Sequence, residues 1–110
     1  MIVTFKSAAA GDVIMFGDVA RQMMEAMGKE PGEKGIVTVE QLPEAIARLR
    51  AAIAADKARW QGVAEEERPA EEKTPNGSQR PFVSLSQRGA PLLELLEWAE
   101  KGKKPVVWGV

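Results

Sequence analysis

The side chains that could carry chemistry in this sequence are carboxylates, guanidinium groups and amides. The 110 residues include no histidine, no cysteine and no tyrosine. The chain therefore has no thiol nucleophile, no imidazole base and no side-chain nitrogen or sulfur ligand of the kind that zinc prefers. A Ser-His-Asp triad is also excluded. Oxygen ligands for Mg²⁺ or Ca²⁺ are the remaining type of metal site. The exclusions favour a protein that is not an enzyme, and no metal or cofactor is expected.

One small group of polar residues could still form a site. Asp56 lies at the edge of the apolar stripe of a predicted helix, where a half-buried carboxylate needs a partner. Arg59 or Arg88 could supply it, and Gln87 lies beside Arg88. Arg88 could instead bind the carboxylate or phosphate of a ligand. The sequence thus leaves two alternatives, a structural ion pair, which we favour, and a polar ligand site.

The elements that would position these residues can be read from hydrophobic periodicity. The segment MIVTFKS alternates and predicts a strand, and KPVVWGV predicts a second one. Ser7 is a possible N-cap for a first helix that continues for the next twenty residues. Capping boxes predict a second helix that ends near Trp60 and a third that begins after Ser84.

Residues 62–81 differ in composition from the rest of the chain. They include five glutamates and three prolines, and valine is their only sizeable apolar residue. Such a segment cannot bury enough apolar surface to offset the entropy lost on ordering. We expect a single domain, residues 1–110, that contains a mobile linker at about 62–81.

The expected fold class is α+β, with three helices packed on a small sheet formed by the N- and C-terminal strands. A terminal strand stays ordered when it is paired in a sheet, so each terminal strand is expected to pair with the other. Three helices that each reverse the chain direction predict that these two strands are parallel.

Charge and hydropathy exclude several classes of partner. Fifteen basic and sixteen acidic residues are scattered along the chain, and the net charge is -1. A nucleic-acid-binding protein normally shows a basic face, so no nucleic-acid partner is expected. No apolar run approaches the length of about 20 residues that spans a bilayer, so no membrane partner is expected. Without a recognisable signal peptide or any cysteine, a cytoplasmic location is the expectation.

Five segments together resemble a proteobacterial family known as domain of unknown function 1840. They are VTFKS at the start, GDVA, LPEAIARL, VSLSQR and PVVWGV at the end. The resemblance covers nearly all of the chain outside the linker. It implies no activity, and no catalytic residue can be transferred from it.

Self-association is the function that these features favour. Ile14 lies on the otherwise polar face of the predicted first helix, and a small sheet leaves two open edges. Four alanines also group opposite the apolar stripe of the second helix; they are Ala47, Ala51, Ala54 and Ala58. We therefore expect an interaction or structural module that forms a homodimer. The alternative is a small-ligand-binding protein or minor enzyme that uses Asp56 and Arg88.

Overall fold

The chain begins with a β-hairpin. A computed structural model describes the backbone of residues 1–110 and every side chain except that of Glu65. Strand β1, Ile2–Ser7, pairs with the antiparallel strand β2, Ala10–Phe16, and helix α1 covers Gly17–Ala26. The prediction of a helix directly after Ser7 is therefore wrong. Val13 and Met15 face the core while Ile14 is exposed, which is the period of two that a strand requires.

The main sheet has four strands in the order β2-β1-β6-β3. Strand β3, Gly35–Val37, and strand β1 both pair with β6, Val106–Trp108, and both pairings are antiparallel. The predicted pairing of the first and last strands is confirmed, as is the α+β class. The predicted parallel direction is wrong, because the argument from helix reversals did not include β2 and β3.

Two long helices complete the helical layer. Helix α2 covers Leu42–Trp60 and helix α3 covers Leu85–Gly102. At the start of α3 the Ser84 hydroxyl accepts a hydrogen bond from the Gln87 amide, and the Gln87 side chain accepts one from the Ser84 amide. This predicted capping box is therefore present and fixes where α3 begins.

The core lies between the sheet and the helices, and Trp108 is its largest side chain. Trp108 is only 1% exposed, and its ring centroid lies 5.5 Å from that of Phe5. Its indole nitrogen donates a hydrogen bond of 3.3 Å to the Gly32 carbonyl oxygen. Gly35 pairs with Trp108 across β3 and β6, and a Cβ atom at Gly35 would overlap the indole ring. The tryptophan and the glycine therefore fit each other.

The predicted linker contains local structure of its own. A 3-10 turn at Glu65–Glu67 is followed by a second hairpin of two short antiparallel strands, β4, Glu71–Lys73, and β5, Gln79–Pro81. The connecting turn includes Gly77, whose φ of +87° is in the left-handed region that favours glycine. Mobility of residues 62–81 remains a prediction.

Among the described residues, no helix is both long enough and apolar enough to cross a membrane.

Candidate functional site

The second hairpin is attached to the helical layer through Arg80. Its guanidinium donates hydrogen bonds of 3.1 and 2.6 Å to the two carboxylate oxygens of Asp18 on α1. The Nε atom of Arg80 lies 3.4 Å from an oxygen of Glu72, which is on the opposite strand of the hairpin. The Arg80 side chain is 13% exposed, so this charge is largely removed from solvent.

The attachment continues from the hairpin to α3. The Nη2 atom of Arg88 donates a 3.0 Å hydrogen bond to Glu72, and its Nε atom donates one of 3.3 Å to the Val83 carbonyl oxygen. Asp18, Arg80, Glu72 and Arg88 therefore form one chain of contacts, which we term the arginine–carboxylate cluster. Two positive and two negative charges balance within it.

The cluster changes the acidity of its carboxyl groups. Hydrogen bonds from Arg80 hold the pKa of Asp18 below its ordinary value of 3.8, although burial opposes them. Burial also acts to raise the pKa of Glu72, but the hydrogen bonds and charges of Arg80 and Arg88 outweigh it and lower that pKa below 4.5. The hydrogen bond with Asp18 raises the pKa of Arg80. Both acids are therefore ionised at neutral pH, and the cluster has the properties of an anchor rather than of an acid-base pair.

The face of the main sheet that points away from the helices carries exposed apolar side chains. Side chains that point away from the helices include Ile2, Ile14, Phe16 and Ile36, which are 63%, 64%, 50% and 42% exposed. Val107 lies between Lys6 and Ile36 on the same face and is half-buried. We term Ile2, Ile14, Phe16, Ile36 and Val107 the outer patch.

A groove of about 650 Å³ lies between the second hairpin and α1. Met1 and Phe16 supply apolar walls, Arg21 contributes a charged group, and Thr74 and Asn76 lie on the hairpin side. The Arg80 guanidinium stands 5.0 Å from the centre of the Phe16 ring. The cluster and the groove are therefore adjacent.

The sequence matches one known protein family over nearly its whole length. Residues 1–108 match the sequence model of the Domain of unknown function (DUF1840). The chain belongs to the DUF1840 family. No curated protein and no solved structure gives a significant match.

The polar residues predicted from the DUF1840 sequence occupy separate places. A carboxylate oxygen of Asp56 accepts a 3.0 Å hydrogen bond from the Ser86 amide at the start of α3, where it assists the capping box. Gln87 belongs to that box. Arg88 contacts Glu72, and none of the described hydrogen bonds or ion pairs joins it to Asp56. The three residues therefore surround one helix start without converging on a common point.

The predicted interface residues are all accessible. Ile14 is on strand β2 instead of a helix, and its side chain is in the outer patch. The four alanines of α2 are exposed; they are Ala47, Ala51, Ala54 and Ala58. Among the described residues no group of acidic side chains has the arrangement of a metal site.

No role was predicted for Arg80 or Glu72, since both lie in the segment interpreted as a linker. A signal for their hairpin was present in the pair Asn76-Gly77, which is typical of a tight turn between strands. The DUF1840 hairpin is held by charged contacts, so a search for apolar periodicity could not find it.

Proposed function

We propose that this chain is a small bacterial cytoplasmic interaction module that self-associates through the outer patch. The observation that carries the proposal is the exposure of large apolar side chains on the free face of the sheet. An antiparallel sheet with one solvated face normally alternates between apolar residues that face the core and polar residues that face water. Here β1 and β2 present isoleucine at Ile2 and Ile14 where polar residues would be expected.

The sheet edges support this choice of face. Between Phe5 and Ser7 the register of β1 and β2 shifts, which marks a β-bulge, and exposed Asp12 lies beside it. Bulges and charged residues are the features that protect an edge strand from pairing with another chain. At the other edge, β3 has only three residues. Pairing of two copies through their sheet edges is therefore less favourable than stacking of the outer patch of one copy on that of the other.

The outer patch is also complementary to a second copy of itself. Within one chain Ile2 is opposite Phe16, and Thr4 is opposite Ile14. A two-fold axis parallel to the strands, between β1 and β2, would place β1 of one copy over β2 of the other. The pairs Ile2–Phe16 and Thr4–Ile14 would then recur between copies, as an isologous interface requires.

The charges at one end of the patch are consistent with the same arrangement. Lys6 follows Phe5 on β1 and Asp12 precedes Val13 on β2, and Phe5 and Val13 are register partners. Lys6 and Asp12 are both exposed at this end of the strands. The proposed axis would bring Lys6 of each copy near Asp12 of the other, so opposite charges would meet at the rim.

The expected affinity is modest. Complete burial of a large apolar side chain contributes about 1.5–3 kcal/mol. The proposed axis brings β1 and β2 of the two copies together, so each copy would bury the exposed half or more of Ile2, Ile14 and Phe16, whereas β6 and β3 lie beyond the overlap. Two copies would therefore gain about 8 kcal/mol, from which association costs of at least about 4 kcal/mol must be subtracted. A net gain of about 4 kcal/mol corresponds to a dissociation constant of about 1 mM.

Sedimentation equilibrium over about 10 µM to about 1 mM tests the proposal. The average mass should rise from 12.0 kDa toward twice that value. Ile14→Thr keeps the β-branched shape but removes apolar contact from both copies, so the dissociation constant should rise about tenfold or more. A chain that stays monomeric at the highest concentration would refute self-association.

Trp98→Gln is the matched control. Trp98 is 48% exposed, and it lies on α3, on the helical side of the β2 edge. If the outer faces stack, this variant should associate as the unmodified chain does. If Trp98→Gln weakens association and Ile14→Thr does not, the β2 edge is the interface and the outer patch is not.

The alternative function, a ligand site or minor enzyme built on Asp56 and Arg88, receives less support. Asp56 already accepts a hydrogen bond from Ser86, and Arg88 is already bound to Glu72 and Val83. A ligand would have to displace these contacts.

A further inference from the structure

The groove between the second hairpin and α1 has the dimensions of a small-molecule site. Its volume of about 650 Å³ falls within the range of about 300–1,000 Å³ that is usual for such sites. Met1 and Phe16 form apolar walls and are 78% and 50% exposed, so a bound apolar group would remove both from water. An apolar wall with a few polar groups is the usual composition of a ligand pocket.

The charged groups of the groove are not equally available. Asp18 and Arg80 line it, but these two residues are already paired with each other through two hydrogen bonds. Arg21 also lines the groove, and none of the described hydrogen bonds or ion pairs engages its exposed guanidinium. Arg21 is therefore a positive charge of the groove that no described acid balances.

Asn76 on the hairpin turn provides a second donor. Its side-chain oxygen is engaged in the turn, where it accepts hydrogen bonds from the Thr74 hydroxyl and from the Ser78 amide. The side-chain nitrogen makes none of the described hydrogen bonds. A guanidinium and a free amide nitrogen are suitable donors for a carboxylate.

We propose that this groove binds a small monocarboxylate with an apolar body, such as a short fatty acid. The carboxylate would accept hydrogen bonds from Arg21 and Asn76, and the apolar body would cover Met1 and Phe16. A single negative charge would pair with the Arg21 guanidinium. A neutral molecule would leave that guanidinium to water, and a cation would be repelled by it.

The proposal goes beyond self-association and can be tested independently of it. Phe16 is shared between the groove and the outer patch, so the measurement should use chains that carry Ile14→Thr. Ile14 does not line the groove. Binding in this background would support the groove whether or not the unmodified chain dimerises.

The experiment is a titration with octanoate in which backbone amide NMR shifts are measured at each concentration. Saturable shifts are expected within residues 16–21 and 74–80. In a chain that also carries Arg21→Gln, octanoate should bind about tenfold more weakly, because a charge-assisted hydrogen bond is lost. Octan-1-ol, which lacks the charge, should bind the Ile14→Thr chain about as weakly as octanoate binds the Arg21→Gln chain.

Arg59→Gln is the matched control. Arg59 is also an exposed helical arginine without a described ion pair, and it is not among the residues that line the groove. This substitution should leave octanoate affinity unchanged. Equal weakening by Arg59→Gln, shifts centred on Ile36 and Val107, or the absence of saturable shifts would each overturn the proposal.

Discussion

Removal of Arg80 should show how much the arginine–carboxylate cluster contributes to stability. Arg80→Met keeps an apolar stem near Phe16 but removes the guanidinium that binds Asp18 at 2.6 and 3.1 Å. Hydrogen bonds to charged groups contribute about 1.5–3 kcal/mol when they are well shielded. Because Asp18 and Glu72 are 31% and 29% exposed, solvent replaces part of the lost contact. We expect the free energy of unfolding to fall by about 1.5 kcal/mol at neutral pH.

The pH dependence of this difference has a definite sign. Arg80 lowers the folded-state pKa of Asp18 below 3.8, so folding is stabilised when the carboxyl group is ionised. The contribution is complete above the unfolded pKa and is lost as the pH falls through the lower folded-state pKa. The difference between Arg80→Met and the unmodified chain should therefore be largest near neutral pH and should shrink as the pH falls below the ordinary Asp pKa of 3.8.

Urea unfolding at several pH values measures this effect, and a double-mutant cycle with Asp18→Asn isolates the pairwise interaction. We expect a coupling energy of about 1 kcal/mol between the two positions at neutral pH. Arg50→Met is a useful control, since Arg50 forms an exposed ion pair with Glu97 and should cost well under 1 kcal/mol. A coupling energy near zero, or a difference that is unchanged at low pH, would refute the anchoring role of Arg80.

Three further predictions concern other parts of the fold. Asp56→Ala should lower stability by about 1 kcal/mol in thermal unfolding, because the Ser86 amide loses its acceptor, whereas Asp56→Asn should cost less. Gly35→Ala should destabilise the chain by several kcal/mol or prevent folding, measurable by circular dichroism, since its Cβ would overlap the Trp108 ring. Hydrogen exchange should be faster for backbone amides in residues 62–81 than in α3, as a mobile segment requires; equal protection would contradict the predicted mobility.

The parts of the fold that could be predicted are those fixed by local sequence. The capping box at Ser84 defines the start of α3, and alternation in β1 defines that strand. The segment from Ala10 to Phe16 was wrongly predicted to be helical, because Val13 and Phe16 have the spacing of a helix face. Its pairing with β1 decides the outcome, since two strands satisfy each other's backbone groups, and this is a tertiary effect.

The candidate site was less accessible to prediction for a different reason. Arg88 was predicted to pair with Asp56 or to bind a ligand, and in the structure it does have an acidic partner. That partner is Glu72, from a segment set aside because it lacks apolar residues. Apolar periodicity reports which residues pack together, but it contains no information about which arginine meets which carboxylate.

The position of β6 also affects how the protein can fold during synthesis. This strand contains residues 106–108, yet it lies between β1 and β3, which do not pair with each other. While the ribosome is still producing α3, the β1–β2 hairpin has no neighbour along β1, and β3 has no strand partner at all. Contacts between residues about 100 positions apart form late and slow the overall reaction. At about 5–20 residues per second, the nascent chain would remain without its central strand for several seconds and would depend on chaperones or on its own helices to shield the inner face of the sheet.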